Sequence, residues 1–251
     1  GDEFEANGLN YRVGENNTVS MIAKTPVYTG KVVIPDEVSY DGTTYSVTGI
    51  GAGAFSGCTK MASVTIPSSV TKIEKDAFKD CSGLKSVQIS DLAAWCNIDF
   101  VEGSGNSVPY SSNPLNYAHH LYLNGSEIKS LEIPQGVKTI KYAVFEGLSS
   151  VTSVTITSSV TLIGRNAFRG CSGFSSLTIP KSVTSIGTYA FWECSGLTNI
   201  ESEITSPFKI TNVFESSITN SVTLYVPLGT RSTYQATSGW SAFKTIVERG
   251  G

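Results

Sequence analysis

Ile73-Glu74-Lys75-Asp76-Ala77-Phe78-Lys79-Asp80-Cys81 restates, 23 positions on, the phrase Ile50-Gly51-Ala52-Gly53-Ala54-Phe55-Ser56-Gly57-Cys58. An isoleucine is followed five positions later by phenylalanine behind a small residue, and three positions further by cysteine. Three more copies follow as Ile140…Val144-Phe145…Leu148, Ile163…Ala167-Phe168…Cys171 and Ile186…Ala190-Phe191…Cys194. A fixed period of this length predicts a solenoid, because each unit is too small to bury its apolar face except against its neighbours.

Between the phrases lies a short strand. Met61, Val64 and Ile66 alternate with polar Ser63 and Thr65 until Pro67, the period-2 pattern of a ribbon with one buried face. Proline has no N–H to give a ladder and so ends the strand. The pattern returns at Val87-Gln88-Ile89, Leu131-Glu132-Ile133-Pro134, Val154-Thr155-Ile156 and Leu177-Thr178-Ile179-Pro180. These strands are expected to pair in parallel as one ladder, with short helical or 3₁₀ turns opposite that carry Ala-Phe into the core. About two divergent repeats fill the gap between Phe78 and Phe145. They hold a helix over Asp91–Ile98, a Gly/Ser-rich loop over 103–113 and an Asn124-Gly125 hairpin turn. Residues 3–50 read as a small antiparallel sheet with an Asp41-Gly42 turn. Residues 201–249 drop the Ala-Phe phrase and end in a helix over Thr230–Phe243.

Composition narrows the class. Hydrophobic residues make up 40% and charged residues 16%, which suits a folded, Ser/Thr-rich surface. A net charge of −3 supplies no basic stripe for phosphates, so nucleic acid is not an expected partner. No apolar run reaches the roughly 20 residues of a membrane span. The polar opening Gly1-Asp2-Glu3 reads as a processed or trimmed start, compatible with an export signal removed upstream.

Val64-Thr65-Ile66-Pro67-Ser68-Ser69-Val70, Ile163-Gly164-Arg165-Asn166-Ala167-Phe168 and Gly170-Cys171 resemble the BspA-type (treponemal) leucine-rich repeat. Asp91 to Cys96 with Leu121 to Gly125 is similar to the divergent module such proteins carry, and Leu224-Tyr225-Val226-Pro227 through Trp240 and Phe243 to their closing unit. The resemblance covers roughly residues 45–249. It implies an α/β fold: a right-handed leucine-rich-repeat solenoid, parallel sheet on one face, with a β-rich N-terminal cap over 1–46 and repeats over 47–90. A divergent middle module over 91–128, repeats over 129–200 and a C-terminal cap over 201–251 complete it. It further implies a secreted or surface-anchored bacterial protein without a catalytic motif or cofactor. Relatives are linked to adhesion, so the implied partners are host extracellular-matrix proteins, other cell-surface proteins or glycans.

Cys58, Cys81, Cys171 and Cys194 share one repeat position, and the fifth copy there is Leu148. A position that accepts leucine asks for an apolar side chain, which a free thiol supplies; disulfides or a metal are the alternatives, without a Cys-x-x-Cys spacing to support them. His119 and His120 are adjacent and precede a strand, where they would face opposite ways and not share a metal or proton path. No Gly-x-Ser-x-Gly, phosphate loop or calcium loop occurs, although two distant carboxylates of a hydrolase would leave no local signature.

Two features point to recognition. The outward strand positions Thr65, Gln88, Tyr122, Glu132, Thr155 and Thr178, with Tyr225 beyond them, make a hydroxyl-rich face suited to polar contacts; the same residues would also serve as a solvated surface. Trp192 stands where Ser56, Lys79, Glu146 and Arg169 stand in other copies, a position read as outward and polar. An exposed tryptophan is a binding anchor. Because Tyr189 is also anomalous, the favoured expectation is that residues beyond 205 cover Trp192.

Overall fold

The computed structural model describes residues 1–104 and 110–250, and part of the expected Gly/Ser loop lies outside them. The chain divides into two compact units, Gly1–Glu127 and Ile128–Gly251.

The first unit runs β1 (Glu3–Ala6), β2 (Leu9–Val13), β3 (Thr18–Ile22), β4 (Gly30–Val33), β5 (Glu37–Tyr40), β6 (Thr43–Ile50), β7 (Met61–Thr65), β8 (Lys72–Ile73) and β9 (Ser86–Ile89). Then come α1 (Leu92–Cys96), β10 (Asp99–Phe100), α2 (Leu115–Ala118), β11 (Leu121–Leu123) and β12 (Ser126–Glu127). One sheet has the order β1-β2-β3-β6-β8-β10 with β5 beside β6, the other β12-β11-β9-β7-β4. The second unit holds β13 (Ser130–Glu132), β14 (Thr139–Ile140), β15 (Ser153–Thr155), β16 (Leu162–Ile163), β17 (Ser176–Ile179), β18 (Ser185–Ile186) and β19 (Asn199–Ser202). It ends with α3 (Ser216–Thr219), β20 (Leu224–Pro227), α4 (Arg231–Ala236), a 3₁₀ turn Trp240–Ala242 and β21 (Ile246–Arg249). Its sheets are β13-β15, β14-β16-β18 and β17-β19-β20-β21.

The expected single ladder is therefore divided. Each repeat contributes two strands, and the isoleucine of the phrase forms a ladder of its own: Ile50 beside Ile73 beside Phe100, and Ile140 beside Ile163 beside Ile186. Two residues are too few to display alternation, so the sequence shows only a conserved spacing there. The longer strands register as Val32, Val64, Val87 and Leu121 in one unit, and as Leu177, Ile200, Leu224 and Ile246 in the other. All these residues are buried.

Opposite the sheets the chain forms overlapping turns, not the expected helical ones. Phe55 N–H donates to the Ala77 carbonyl of the next repeat at 2.7 Å, and Phe168 N–H to Ala190 at 2.8 Å. This satisfies backbone groups between layers instead of within a helix. Left-handed residues recur at two fixed places, Asp76, Ala143, Asn166 and Tyr189 at the first, and Asp80 and Glu193 beside Gly57, Gly147 and Gly170 at the second.

The phenylalanines stack. Phe55 and Phe78 lie 5.1 Å apart; Phe145, Phe168, Phe191 and Phe214 follow one another at 5.7, 5.4 and 5.6 Å, near parallel. The repeat thus runs one copy further than the phrase suggests, to Val213-Phe214, where only the ring keeps the period. Tyr28 extends the first stack on Phe55 at 5.0 Å. The N-terminal region is likewise not a purely antiparallel sheet, since β3 pairs with β6 and β4 with β7 in parallel. The expected C-terminal helix is broken after Ala236, where Gly239 turns at φ +90°.

All five cysteines are free and buried. Cys81, Cys171 and Cys194 each donate from Sγ to the carbonyl of the phenylalanine one repeat earlier, Phe55, Phe145 and Phe168, at 3.1–3.3 Å. Leu148 occupies the same repeat position and is fully buried, so the site accepts an apolar side chain without a thiol donor. Burial pushes the Cys81 and Cys96 thiols up to about 12, which removes them from nucleophilic chemistry near neutrality.

Candidate interaction surfaces

The sheet face organises its outward residues into rows. Val33, Thr65, Gln88 and Tyr122 are in register across β4, β7, β9 and β11, and Tyr122 faces Glu127 on β12. In the second unit Glu132 registers with Thr155, and Thr178 with Glu201 and Tyr225. Thr65, Gln88 and Tyr122 are half-buried, while Glu132, Thr155 and Thr178 are exposed. Arg249 lies over the Tyr225 ring, 4.3 Å from its centroid, and meets Glu201 at 3.4 Å. Exposed hydroxyls on the neighbouring turns bond from one repeat to the next. Thr71, Thr152, Thr161, Thr184 and Thr198 each donate to a carbonyl 23 residues earlier at 3.0–3.4 Å.

Trp192 is half-buried and lines a cavity of about 310 Å³. Its walls include Ile210, Asn212, Phe214, Ser216 and Thr219, with Ala242 from the closing turn. Tyr189 meets the indole edge-on, centroids 5.1 Å apart at 80°, and its N–H donates to the Asn212 carbonyl at 2.8 Å. The tryptophan is thus held between the last phrase and the segment after it, leaving part of the ring accessible. No charged side chain lines the cavity, so it offers apolar surface with neutral donors and acceptors.

The repeat position of Trp192 is not uniformly outward. Ser56 and Lys79 are exposed, but Glu146 and Arg169 are buried. Asn166 Nδ2 donates to Glu146 Oε2 at 2.8 Å, Arg169 meets Glu193 at 3.3 Å, and Glu193 N–H donates to Glu215 Oε1 at 2.6 Å. Charge is accommodated there by sideways pairing between layers, as buried polar groups require.

The histidines lie before β11 and not on it, so strand alternation does not set their directions. His119 ends α2 in the left-handed region at φ +60°, and His120 pairs through Nδ1 with Glu127. That pair is partly exposed on the hairpin. Among the described residues no group of three His, Cys, Asp or Glu is placed to hold a metal. No described helix is long and apolar enough to cross a membrane.

The pattern of the BspA type leucine rich repeat region matches residues 42–99 and 118–233 in six copies. No curated protein matches the chain. Among solved structures, a leucine rich cell surface protein from Faecalibacterium prausnitzii is 23% identical, with a TM-score of 0.56 over 98% of this chain and 76% of its own. A leucine-rich repeat protein from Bacteroides ovatus is 23% identical at a TM-score of 0.46, and the match covers 90% of this chain but 56% of that one. A leucine-rich repeat protein of T. pallidum is 19% identical at 0.38, over 98% and 82%.

Proposed function

Because the chain belongs to the BspA-type leucine-rich-repeat family, we propose that it is a noncatalytic, extracellular or cell-surface binding module. It mediates adhesion by holding a protein or glycan against its repeat surface. In this reading the repeats wind as a right-handed solenoid, with residues 1–46 and 201–251 as caps and 91–128 as a divergent module between repeats 47–90 and 129–200. The partners are a host extracellular-matrix protein, another surface protein or a glycan, and the contact residues are Thr65, Gln88, Tyr122, Glu132, Thr155, Thr178 and Trp192.

The observation that carries the proposal is the Trp192 cavity. A tryptophan braced edge-on by Tyr189, with ring left accessible above an uncharged wall, is the arrangement of an anchor residue: large contact area at small entropic cost. The similar protein from Faecalibacterium prausnitzii is a leucine rich cell surface protein, which supports the location. The test is a binding screen of the purified protein against extracellular-matrix proteins and a glycan panel at physiological salt, with Trp192→Ala and Tyr122→Ala beside the wild type. Saturable binding lost in one variant locates the surface.

One observation favours a second reading, a spacer without its own ligand. The threonine hydroxyls on the turns already bond to the preceding repeat, so much of the hydroxyl-rich exterior is structural. A folded protein that binds nothing across the panel supports the spacer.

A further inference from the structure

The two sheets of the first unit end at different layers. The sheet containing Ile50 and Ile73 continues past β6 through β3, β2 and β1, whereas the sheet containing Val64 and Val87 stops at β4. The shortfall leaves a notch of about 860 Å³ beside β4, walled by the β1–β2 turn at Ala6 to Leu9, by Lys24 to Thr29 and by Val38 and Ser39.

β4 bonds along one edge only. Gly30 N–H donates to Lys60 at 2.8 Å and Ile34 N–H to Thr65 at 3.1 Å, both toward β7. Strand alternation therefore turns the N–H and C=O of Lys31 and Val33 away from β7. β4 is the last strand of its sheet, paired with β7 alone, and among the described residues no turn or loop backbone bonds to these four groups. They form a short run of donors and acceptors spaced for another strand. Beside them Val33 is 63% exposed and Val27 45%. Unpaired N–H and C=O groups beside an exposed apolar side chain are a template on which another strand can pair.

Charge selects the occupant. Lys31 registers against Ser63 and enters no ion pair among the described residues. Lys24 stays at the rim, its Nζ on the Gly8 carbonyl at 2.8 Å and 4.9 Å from the centre of the Tyr28 ring. Glu37 is the one acid among the lining residues, against two lysines. A strand laid on β4 places one side chain opposite Lys31 and another, two positions away, opposite Val33. Opposite charges and β-branched or aromatic pairs stabilise such positions.

We propose that β4 is a strand-addition site for an extended segment of another polypeptide, one with an acidic residue two positions from a β-branched or aromatic residue. Main-chain hydrogen bonds to Lys31 and Val33 hold the segment, and the Lys31 and Val33 side chains choose it. This surface is independent of the Trp192 cavity.

The test uses the whole protein and two labelled nonapeptides of alternating pattern, Thr-Val-Thr-Glu-Thr-Val-Thr-Val-Thr and the same peptide with Lys for Glu. Fluorescence anisotropy reads binding, and amide hydrogen exchange reads Lys31 and Val33. The acidic peptide should bind and slow exchange at both amides, and Val33→Pro, which removes a donor that β7 does not use, should weaken it at least about tenfold. Lys31→Glu, which leaves the backbone intact should the proline variant unfold, should reverse the preference between the peptides. Unchanged exchange at both amides, or peptide preference unaffected by Lys31→Glu, overturns the proposal. So does a concentration-dependent dimer, seen by sedimentation and abolished by Lys31→Glu or Val33→Pro, which would assign the edge to a second copy.

Discussion

Truncation of the central ring of the phenylalanine stack, Phe168→Ala, should cost about 4–5 kcal/mol of folding free energy, the upper part of the range for buried phenylalanine. Phe168 is fully buried between Phe145 at 5.7 Å and Phe191 at 5.4 Å, the second pair only 3° from parallel. The substitution removes the transfer energy of the ring and both aromatic pairs, each worth about 0.5–1.5 kcal/mol beyond burial. Closing the cavity would require the layers to approach. They are held apart by hydrogen bonds on each side, Phe145 N–H to Ala167 at 2.9 Å and Phe168 N–H to Ala190 at 2.8 Å. Urea unfolding followed by circular dichroism measures the loss, with Phe168→Leu as a milder companion of roughly half the effect because volume is mostly restored. The pattern is as diagnostic as the magnitude. Phe168 should couple to Phe145 and to Phe191 in double-mutant cycles, while Phe145 and Phe191, which have no mutual contact, should be additive within about 0.5 kcal/mol. A Phe168→Ala loss under about 1.5 kcal/mol, or strong Phe145–Phe191 coupling, would refute the layered packing.

Trp192→Ala should lower stability by under about 1.5 kcal/mol, because the half-buried ring leaves a cavity already open to solvent; a larger loss in the same urea assay would make it a core residue and not an anchor. Gly173→Ala should destabilise by about 2–3 kcal/mol or more, since a Cβ there would stand 2.3 Å from the Ser149 carbonyl oxygen and 2.5 Å from that of Val151, both backbone atoms; a neutral result by thermal melting would contradict the stated layer spacing. Asp80→Gly should be neutral or stabilising by up to about 1 kcal/mol, as Asp80 is held at φ +60° where other copies carry glycine. Stability should fall as pH rises above about 9 and continue falling toward 12: Cys81 and Cys96 keep their protons in the folded state up to about 12 and lose them near 9 when unfolded. Each therefore removes up to about 1.4 kcal/mol per pH unit in that window and nothing below it. Iodoacetamide at pH 8 should correspondingly leave all five thiols unmodified until the protein is unfolded, and a thiol alkylated in the native protein would show that its burial is not maintained.

The sequence was most legible where one packing problem is solved again in every layer. The rings at positions 168 and 191 each have a ring above and below, and Phe145 opens the same stack, so periodicity alone identified them as core. Phe214 escaped because its isoleucine is displaced to Ile210 and its cysteine is gone, while Tyr28 stands 27 residues before Phe55 instead of 23; both still stack, because stacking needs only a ring in the layer. The reason for cysteine was hidden in the same way. Leu148 revealed that the position is buried, but the Sγ–carbonyl bond is made to an atom one repeat away that no local pattern displays. Gly83, Gly173 and Gly196 likewise answer to carbonyls of Thr59, Ser149 and Ser172 in the previous layer, and Lys60 and Ser150, which open their runs of phrases, are free to be something else.

That dependence on the layer beneath also explains where the binding features lie. A residue inside a run of repeats has neighbours on both sides, so a deviation there must be met by the adjacent layers, as Cys gives way to Leu148 or as buried Glu146 is met by Asn166. A residue in a terminal layer has one constrained side and one free side. In the first unit the free side of β4 leaves backbone groups and Val33 unpartnered beside a notch. In the second, the last phrase carries Tyr189 and Trp192 against a next layer, built on Phe214 and α3, that departs from the repeat and covers them only in part. Substituting Trp192 by arginine, its counterpart in the repeat before, should therefore be tolerated structurally yet abolish any recognition that depends on the uncharged cavity. Binding retained by Trp192→Arg, with folding intact, would move the site from this terminal layer to the sheet rows.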